Sequence, residues 1–192
     1  MKKIAFVSMF LLVMSFAAGA QAYTFTTYSS YSNWLAAIFP ISPVVENFQD
    51  AVLEPGFSIT EIGGAGSIHD GVYENVADIT TRYQVYNYAP GMFAFGGWFD
   101  LQPEGPGSGL NMYINDDNTL VTSIPNTAEG EFYGFKADGT FMGVRLEGIP
   151  GDGQETYYAV DVALAPVPIP GAVWLLGSGL LGLVAVRRRM KG

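Results

Sequence analysis

The side chains that most often do chemistry are scarce in this sequence. His69 is the only histidine, Asp70 follows it, and none of the 192 residues is a cysteine. A Ser-His-Asp site would need a distant serine, and no Gly-x-Ser-x-Gly elbow is present to supply a nucleophile. Residues 63–66, Gly-Gly-Ala-Gly, lack the Lys-Ser/Thr pair that completes a phosphate loop. We therefore interpret His69 as a loop histidine and the glycines as a turn.

Carboxylates are the abundant reactive groups. All eighteen Asp and Glu lie between Glu46 and Asp161, where only three residues are basic, so this stretch carries a net charge of −15. A strongly acidic domain repels phosphate backbones, which excludes nucleic acid as a partner. A glycosidase needs two carboxylates at a defined spacing, and eighteen acids will supply such a pair by chance. A secreted hydrolase stays an alternative, but we expect a protein that is not an enzyme.

The acids and the aromatic residues suggest two kinds of binding site. We expect no catalytic cofactor, but a structural Ca²⁺ is compatible with this composition, because calcium prefers carboxylate and carbonyl oxygens. The candidate ligands are Glu46, Asp116, Asp117 and Asp161. Solvated acids in turns are the alternative interpretation. The candidates for stacking against sugar rings are Trp98, Tyr113 and Tyr157, which could equally be core or edge residues.

The middle of the chain has the pattern of an all-β domain with a short N-terminal helix. Ser29 to Ile38 is the candidate helix, capped by Ser29 or Ser30 and ended by Pro40. The candidate strands are residues 44–48, 57–61, 79–86, 93–101, 110–114, 120–124, 131–135, 141–146 and 157–164. Strands at this spacing predict a β-sandwich of jelly-roll type, here over residues 23–165.

Alternation along two strands predicts which side chains enter the core. Phe93, Phe95 and Phe99 share one side of their strand, and Trp98 points to the other. In the last strand, the same rule predicts the inward residues to be Tyr158, Val160, Val162 and Leu164. It places Tyr157, Ala159 and Asp161 on the outer side or at a sheet edge.

Residues 1–22 have the form of a secretory signal peptide. Two lysines precede an apolar stretch, and Ala20-Gln21-Ala22 supplies the small-x-small pattern for signal peptidase. We expect the mature chain to begin at Tyr23.

The other end of the chain predicts a single transmembrane helix. Residues 171–186 carry no charge, and Arg187, Arg188 and Arg189 begin a basic stop over residues 187–191. Sixteen residues would span about 24 Å as a helix, somewhat less than a typical bilayer core. The basic cluster should stay cytoplasmic, which leaves the acidic domain on the far side.

Residues 166–192 together resemble the PEP-CTERM sorting signal. The resemblance rests on Val167-Pro168-Ile169-Pro170, then on Trp174, Gly177, Gly179 and Gly182 of the apolar stretch, and on the arginines that end it. The motif resembles a variant in which Ile169 replaces the acidic residue. Membership implies recognition by exosortase, an integral-membrane processing enzyme of Gram-negative bacteria. It also implies an association with exopolysaccharide and biofilm.

These features predict an exported, non-enzymatic protein of the cell surface or exopolysaccharide matrix. It would cross the inner membrane, be held there by its C-terminal helix, and reach the surface after processing. Two alternatives stay open beside this prediction. One is a carbohydrate-binding jelly-roll module delivered by the same route, and the other is a permanently membrane-anchored ectodomain.

Overall fold

The computed structural model describes residues 23–78, 81–102, 107–114, 118–149 and 153–167. Within these residues, ten antiparallel strands and one helix form the domain. The elements are β1 (Phe25–Tyr28), α1 (Tyr31–Ile38), β2 (Val44–Glu46), β3 (Phe57–Ile62), β4 (Ser67–His69), β5 (Val72–Ala77), β6 (Tyr83–Leu101), β7 (Gly109–Ile114), β8 (Thr119–Pro125), β9 (Glu129–Gly148) and β10 (Glu155–Pro166). The prediction of an all-β domain with a short N-terminal helix is confirmed.

Two long strands fold the sheet into two layers. The first half of β6 pairs with β3 and with the second half of β9, which pairs in turn with β7. The second half of β6 pairs with β10 and with the first half of β9, which pairs in turn with β1. We call the layer of β3, β7 and β8 the open layer. The layer of β1, β2, β4, β5 and β10 is called the helix-side layer.

Both long strands pass between the layers at the same end of the molecule. Asn87 pairs with Gly143 and Met92 with Phe141, so the regular register is interrupted where β6 turns. Gly91 in this turn has a φ of +115°, which glycine adopts without the steric cost of a side chain. Residues 89–91 and 138–140 define this end, which we call the bend end.

Aromatic side chains fill the space between the layers. Tyr86 of the open layer lies 5.8 Å, between ring centroids, from Phe95 of the helix-side layer. Phe135 and Phe141 lie in the two halves of β9, and their rings stack at 5.2 Å across the core. Since all four side chains are fully buried, the two layers are held together mainly by aromatic packing.

A second, smaller core lies on the outer side of the helix-side layer, under α1. Trp34 and Ile38 of the helix are buried against Phe132, and the Trp34 indole donates a hydrogen bond of 3.1 Å to the Phe135 carbonyl. The ring of Phe132 lies over Gly134, where a Cβ would come within 2.7 Å of it. The predicted helix is thus confirmed, and its apolar face covers this side of the sheet.

The predicted strand faces are partly right. Phe95 and Phe99 enter the main core and Trp98 packs on the other side, as predicted, but Phe93 packs with the outer cluster. In β10, Val162 and Leu164 point inward as predicted.

The prediction was wrong for the first half of β10. Tyr157 and Ala159 are fully buried, whereas Tyr158 and Val160 are only partly so. The register with β6 shifts between Ala159 and Asp161, and such a bulge exchanges the two faces of a strand.

Tyr157 gives a test of the core, because its hydroxyl joins the two layers. It donates to the Gln84 side-chain oxygen at 2.8 Å and lies 3.2 Å from the Tyr86 hydroxyl. Tyr157→Phe leaves these buried groups short of a partner, so we expect the free energy of unfolding to fall by about 1–3 kcal/mol. Urea denaturation measures this loss.

Tyr158→Phe is the matched control. Its hydroxyl accepts a 3.0 Å hydrogen bond from Gln102 and donates one of 3.4 Å to Glu74. Tyr158 and Gln102 are accessible to water, which can replace the lost partner, so the substitution should change stability by less than about 0.5 kcal/mol. Equal effects of the two substitutions would contradict the role given to the buried hydroxyl.

Candidate binding face

The two outer faces of the sandwich differ in what covers them. On the helix-side layer, α1 packs over β9 and β1. On the open layer, no described element lies over the outer face, and the large apolar side chains Ile62 and Leu120 are 38% and 50% exposed there. A broad strand face that is accessible in this way is the part of the described structure best placed to meet an extended ligand.

Strand pairing arranges the outward side chains of this face in two rows across five strands. One row holds Thr60, Val85, Arg145, Tyr113 and Leu120. The neighbouring row, farther from the bend end, holds Ile62, Tyr83, Glu147, Asn111 and Ser123. We call these ten residues the open face. With strands about 4.8 Å apart, the rows extend over roughly 19 Å.

Arg145 lies at the centre of the open face between two tyrosine rings. Its guanidinium carbon is 4.7 Å from the ring centroid of Tyr113 and 5.5 Å from that of Tyr83. Nη1 donates a 2.7 Å hydrogen bond to the Asn118 side-chain oxygen. Cation–π contacts and a hydrogen bond therefore hold the guanidinium between Tyr83 and Tyr113, and we call Tyr83, Arg145 and Tyr113 the strip.

Glu147 compensates the charge of this arginine. Its Oε2 lies 3.0 Å from Arg145 Nε, an ion pair without the alignment of a hydrogen bond. Both side chains are more than four-fifths buried, and burial raises the pKa of Glu147 although the adjacent arginine lowers it. The centre of the open face is therefore close to neutral, in contrast to the acidic domain around it.

Amide and hydroxyl groups border the strip on both sides. Asn111 donates a 3.2 Å hydrogen bond to the Tyr113 hydroxyl and accepts one of 2.6 Å from Ser123. At the other side, Asn87 donates to the Thr60 hydroxyl at 3.0 Å. A shallow groove of about 260 Å³ lies here, lined by Thr60, Ile62, Tyr83, Val85 and Asn87. Aromatic faces beside fixed polar groups are suited to a ligand with both C–H faces and hydroxyl groups.

The three predicted sugar-stacking residues do not share a surface. Tyr113 lies on the open face. Trp98 lies on the helix-side layer, with ring centroids 4.7 Å from Tyr31 and 5.1 Å from Phe132. Tyr157 is fully buried between the layers. The prediction for Tyr157 was wrong because the bulge in β10 turns its side chain inward.

Sequence reasoning missed Tyr83, Arg145 and Glu147. Each follows the alternation of its strand, with inward Gln84 after Tyr83 and inward Leu146 between Arg145 and Glu147. That alternation could have marked them as outward residues. Their meeting could not be predicted, because 62 residues separate Tyr83 from Arg145 and only the long-range pairing of β6 with β9 joins them.

Two of the predicted calcium ligands lie near each other in the structure. Glu46 is buried, and its two oxygens accept hydrogen bonds of 2.8 Å from the backbone of Phe48 and of Glu54. Burial raises the pKa of Asp161, and the Glu46 carboxylate raises it further. Asp116 and Asp117 lie outside the described residues.

Through these two hydrogen bonds, Glu46 orders the loop between β2 and β3. Among the residues that the structure describes, no group of three His, Cys, Asp or Glu side chains could hold a metal ion. A structural Ca²⁺ stays a prediction.

His69 lies at the end of β4, half exposed, rather than in a loop. Its Nε2 is 2.7 Å from Glu74 Oε2, and Nδ1 is 3.7 Å from Asp70. The hydrogen bond to Glu74 is the main reason why its pKa is raised.

The predicted targeting segments lie almost wholly outside the described part of the chain. Of the sorting motif only Val167 is described, and of the signal cleavage site only Tyr23. Ala20, Ala22, Pro168, Ile169 and Pro170 lie outside it, as do Trp174, Gly177, Gly179, Gly182 and Arg187–Arg189. In the ranges that are described, no helix has the length and hydropathy to cross a membrane.

Comparison with known proteins finds similarity in solved structures alone. No protein-family model matches the chain, and no curated protein matches it either. A mutant of the carbohydrate-binding module CBM29-2 complexed with mannohexaose is 16% identical, with a TM-score of 0.49 over 65% of this chain and 92% of that one. A CBM29-2 mutant complexed with cellulohexaose is 16% identical, with a TM-score of 0.46 over 74% and 91%. A family 29 carbohydrate-binding module is 15% identical, with a TM-score of 0.47 over 75% and 90%. At these identities and TM-scores below 0.5, the similarities transfer no binding residue to this chain.

Proposed function

We propose that this chain is an exported, non-catalytic surface protein that binds a neutral polysaccharide strand across its open face. The observation that carries the proposal is the strip of Tyr83, Arg145 and Tyr113 on a sheet face that no described element covers. A pyranose ring has an apolar C–H face that packs on tyrosine, and its hydroxyls match the amide and guanidinium groups beside the rings.

The shape and the charge of the face support an extended, uncharged ligand. Its groove is shallow, and the two rows run across five strands. Among the residues that the structure describes, no element closes either end of these rows. The Arg145–Glu147 pair cancels its own charge, and a stretch of net charge −15 surrounds it. A polymer of uronic acids would meet electrostatic repulsion, whereas a neutral glycan would not.

The same face supports binding rather than hydrolysis. Glycosidases place two carboxyl groups on either side of the scissile bond. The two rows of the open face contain one carboxylate, Glu147, and it is paired with Arg145. We therefore propose a binding module without catalytic activity, in which the ligand is held by stacking and hydrogen bonds.

Delivery to the cell surface is the second part of the proposal, and it rests on the sequence of the two ends. A signal peptide over residues 1–22 would start export, and the uncharged segment 171–186 would stop it. Processing by an exosortase-like enzyme at the motif of residues 167–170 would then release the ectodomain. A protein kept permanently at the membrane by an uncut segment is the alternative.

Tyr113→Ala tests the glycan face. Loss of one stacking ring should weaken binding about tenfold, which corresponds to about 1.4 kcal/mol. Titration calorimetry against soluble neutral glucans, mannans and the exopolysaccharide of the host would measure the change. Tyr158→Ala is the control, since it removes a tyrosine of the helix-side layer and should leave affinity unchanged.

Two results would contradict the glycan proposal. One is equal affinity of the parent chain and Tyr113→Ala, with both folded by thermal denaturation. The other is a preference of the parent chain for polyuronates over neutral polymers.

The intact mass of the protein in its host tests delivery. With the sorting enzyme present, we expect a chain that begins at Tyr23, ends near residues 168–170 and lies outside the inner membrane. Without the enzyme, the C-terminal segment should remain and hold the protein in the inner membrane. A full-length C-terminus in the inner membrane under both conditions would favour the permanently anchored alternative, with Ile169 as the first residue to exchange for glutamate.

A further inference from the structure

We infer that the bend end of the domain rests on the lipid surface before processing, with Phe39 in contact with the bilayer. This inference rests on the proposed membrane segment at residues 171–186. It adds an orientation and a lipid-contact residue, which the sorting signal alone does not give.

Both ends of the described chain lie at the bend end. Thr26, Lys136, Ala94 and Ala165 form one row across four strands of the helix-side layer. Tyr23 lies three residues before this row, and its hydroxyl donates a 2.9 Å hydrogen bond to the Thr140 carbonyl.

At the other terminus of the described chain, the Val167 amide donates a 3.3 Å hydrogen bond to the Gly91 carbonyl. Thr140 and Gly91 belong to the two turns that define the bend end. The signal peptide and the C-terminal segment are therefore attached at the same end of the domain.

The connection between domain and membrane segment is short. Val167 is still hydrogen-bonded within the fold, and the proposed membrane segment begins at Gly171. Four residue steps reach at most about 14 Å, even when fully extended. A domain of this size cannot turn its far end to the membrane on such a tether, so the bend end must lie next to the lipid headgroups.

Phe39 is exposed at this same end. It follows α1, whose Ala37 carbonyl accepts a 2.9 Å hydrogen bond from Lys136 in the row described above. The Phe39 side chain is 83% exposed, the largest exposed fraction among the large apolar side chains of the described residues. Phenylalanine is one of the side chains with which proteins enter the boundary between headgroups and acyl chains.

This orientation leaves the open face free. The row of Arg145 and the row of Glu147 both lie on the far side of Phe141, away from the bend end. A polysaccharide strand could therefore cross the open face while the domain is still attached to the membrane.

A fluorescent probe at position 39 tests the orientation, because the chain has no cysteine and one introduced residue can be labelled selectively. Phe39→Cys and, as the matched control, Gln102→Cys would each carry an environment-sensitive dye. Gln102 is exposed at the end opposite the bend, where its backbone N–H donates a hydrogen bond to the Thr156 carbonyl. Each chain, with its C-terminal segment intact, would be reconstituted in zwitterionic phosphatidylcholine vesicles, which avoid repulsion between anionic lipid and the acidic domain.

Quenching by lipids with brominated acyl chains is then compared at the two positions. We expect at least fivefold stronger quenching at position 39 than at position 102. Chains that float with the vesicles but show equal quenching, or none at position 39, would overturn this inference and leave the membrane segment intact. Chains that do not float with the vesicles would overturn the anchoring itself, and the orientation with it. Glycan binding, measured separately on the same variants, would be affected by neither result.

Discussion

β6 and β9 are each shared by the two layers, so a change in either strand would alter the core and both outer faces together. Phe135 and Phe141 show the constraint most directly, since they lie on one strand yet stack face to face across the core at 5.2 Å. For that contact to form, β9 must turn between them, and β6 must turn beside it at Gly91. The position of Arg145 opposite Val85, and hence the whole open face, depends on these two turns.

The two outer faces of the sandwich differ in the size and polarity of their outward side chains. On the helix-side layer, the outward positions beside Phe132 are small, with Gly96 and Gly134 under its ring and Ala94 and Ala163 around it. Small residues let α1 pack closely, and the Trp34 indole can then donate its hydrogen bond to the Phe135 carbonyl of β9. On the open layer, the outward positions instead combine polar and aromatic side chains, such as Arg145 and Tyr113, with partly exposed apolar ones, such as Ile62 and Leu120. The polar side chains satisfy one another across the strands, as Arg145 and Glu147 do.

Local pattern predicted those parts of the fold that local interactions determine. The helix follows from the spacing of Trp34 and Ile38, and the inward positions of Phe95 and Phe99 follow from alternation.

Alternation fails at Tyr157 because a bulge inserts one unpaired residue into the strand, and the amino-acid composition gives no sign of it. Proline and glycine near residues 89–91 and 138–140 predict breaks between strands, yet β6 and β9 continue through both turns. The strip of Tyr83, Arg145 and Tyr113 was beyond prediction because it unites residues of β6, β9 and β7 by long-range pairing alone. The sorting signal differs from the strip, because it is predicted from a short local motif alone. Apart from Val167, its motif lies outside the described residues.

Charge connects the binding face with the place where the protein would act. A net charge of −15 between Glu46 and Asp161 makes neighbouring copies of the domain repel one another, which opposes self-association at high surface density. The same charge would repel an anionic polymer, whereas a neutral polymer would meet no such repulsion. On the open face the Arg145–Glu147 pair adds little net charge, because the two groups lie 3.0 Å apart, and the rings of Tyr83 and Tyr113 flank the Arg145 guanidinium. Desolvating a charged pair is costly, and burial already raises the pKa of Glu147 before any ligand arrives. Much of that cost is therefore met on folding rather than on binding of the proposed uncharged ligand.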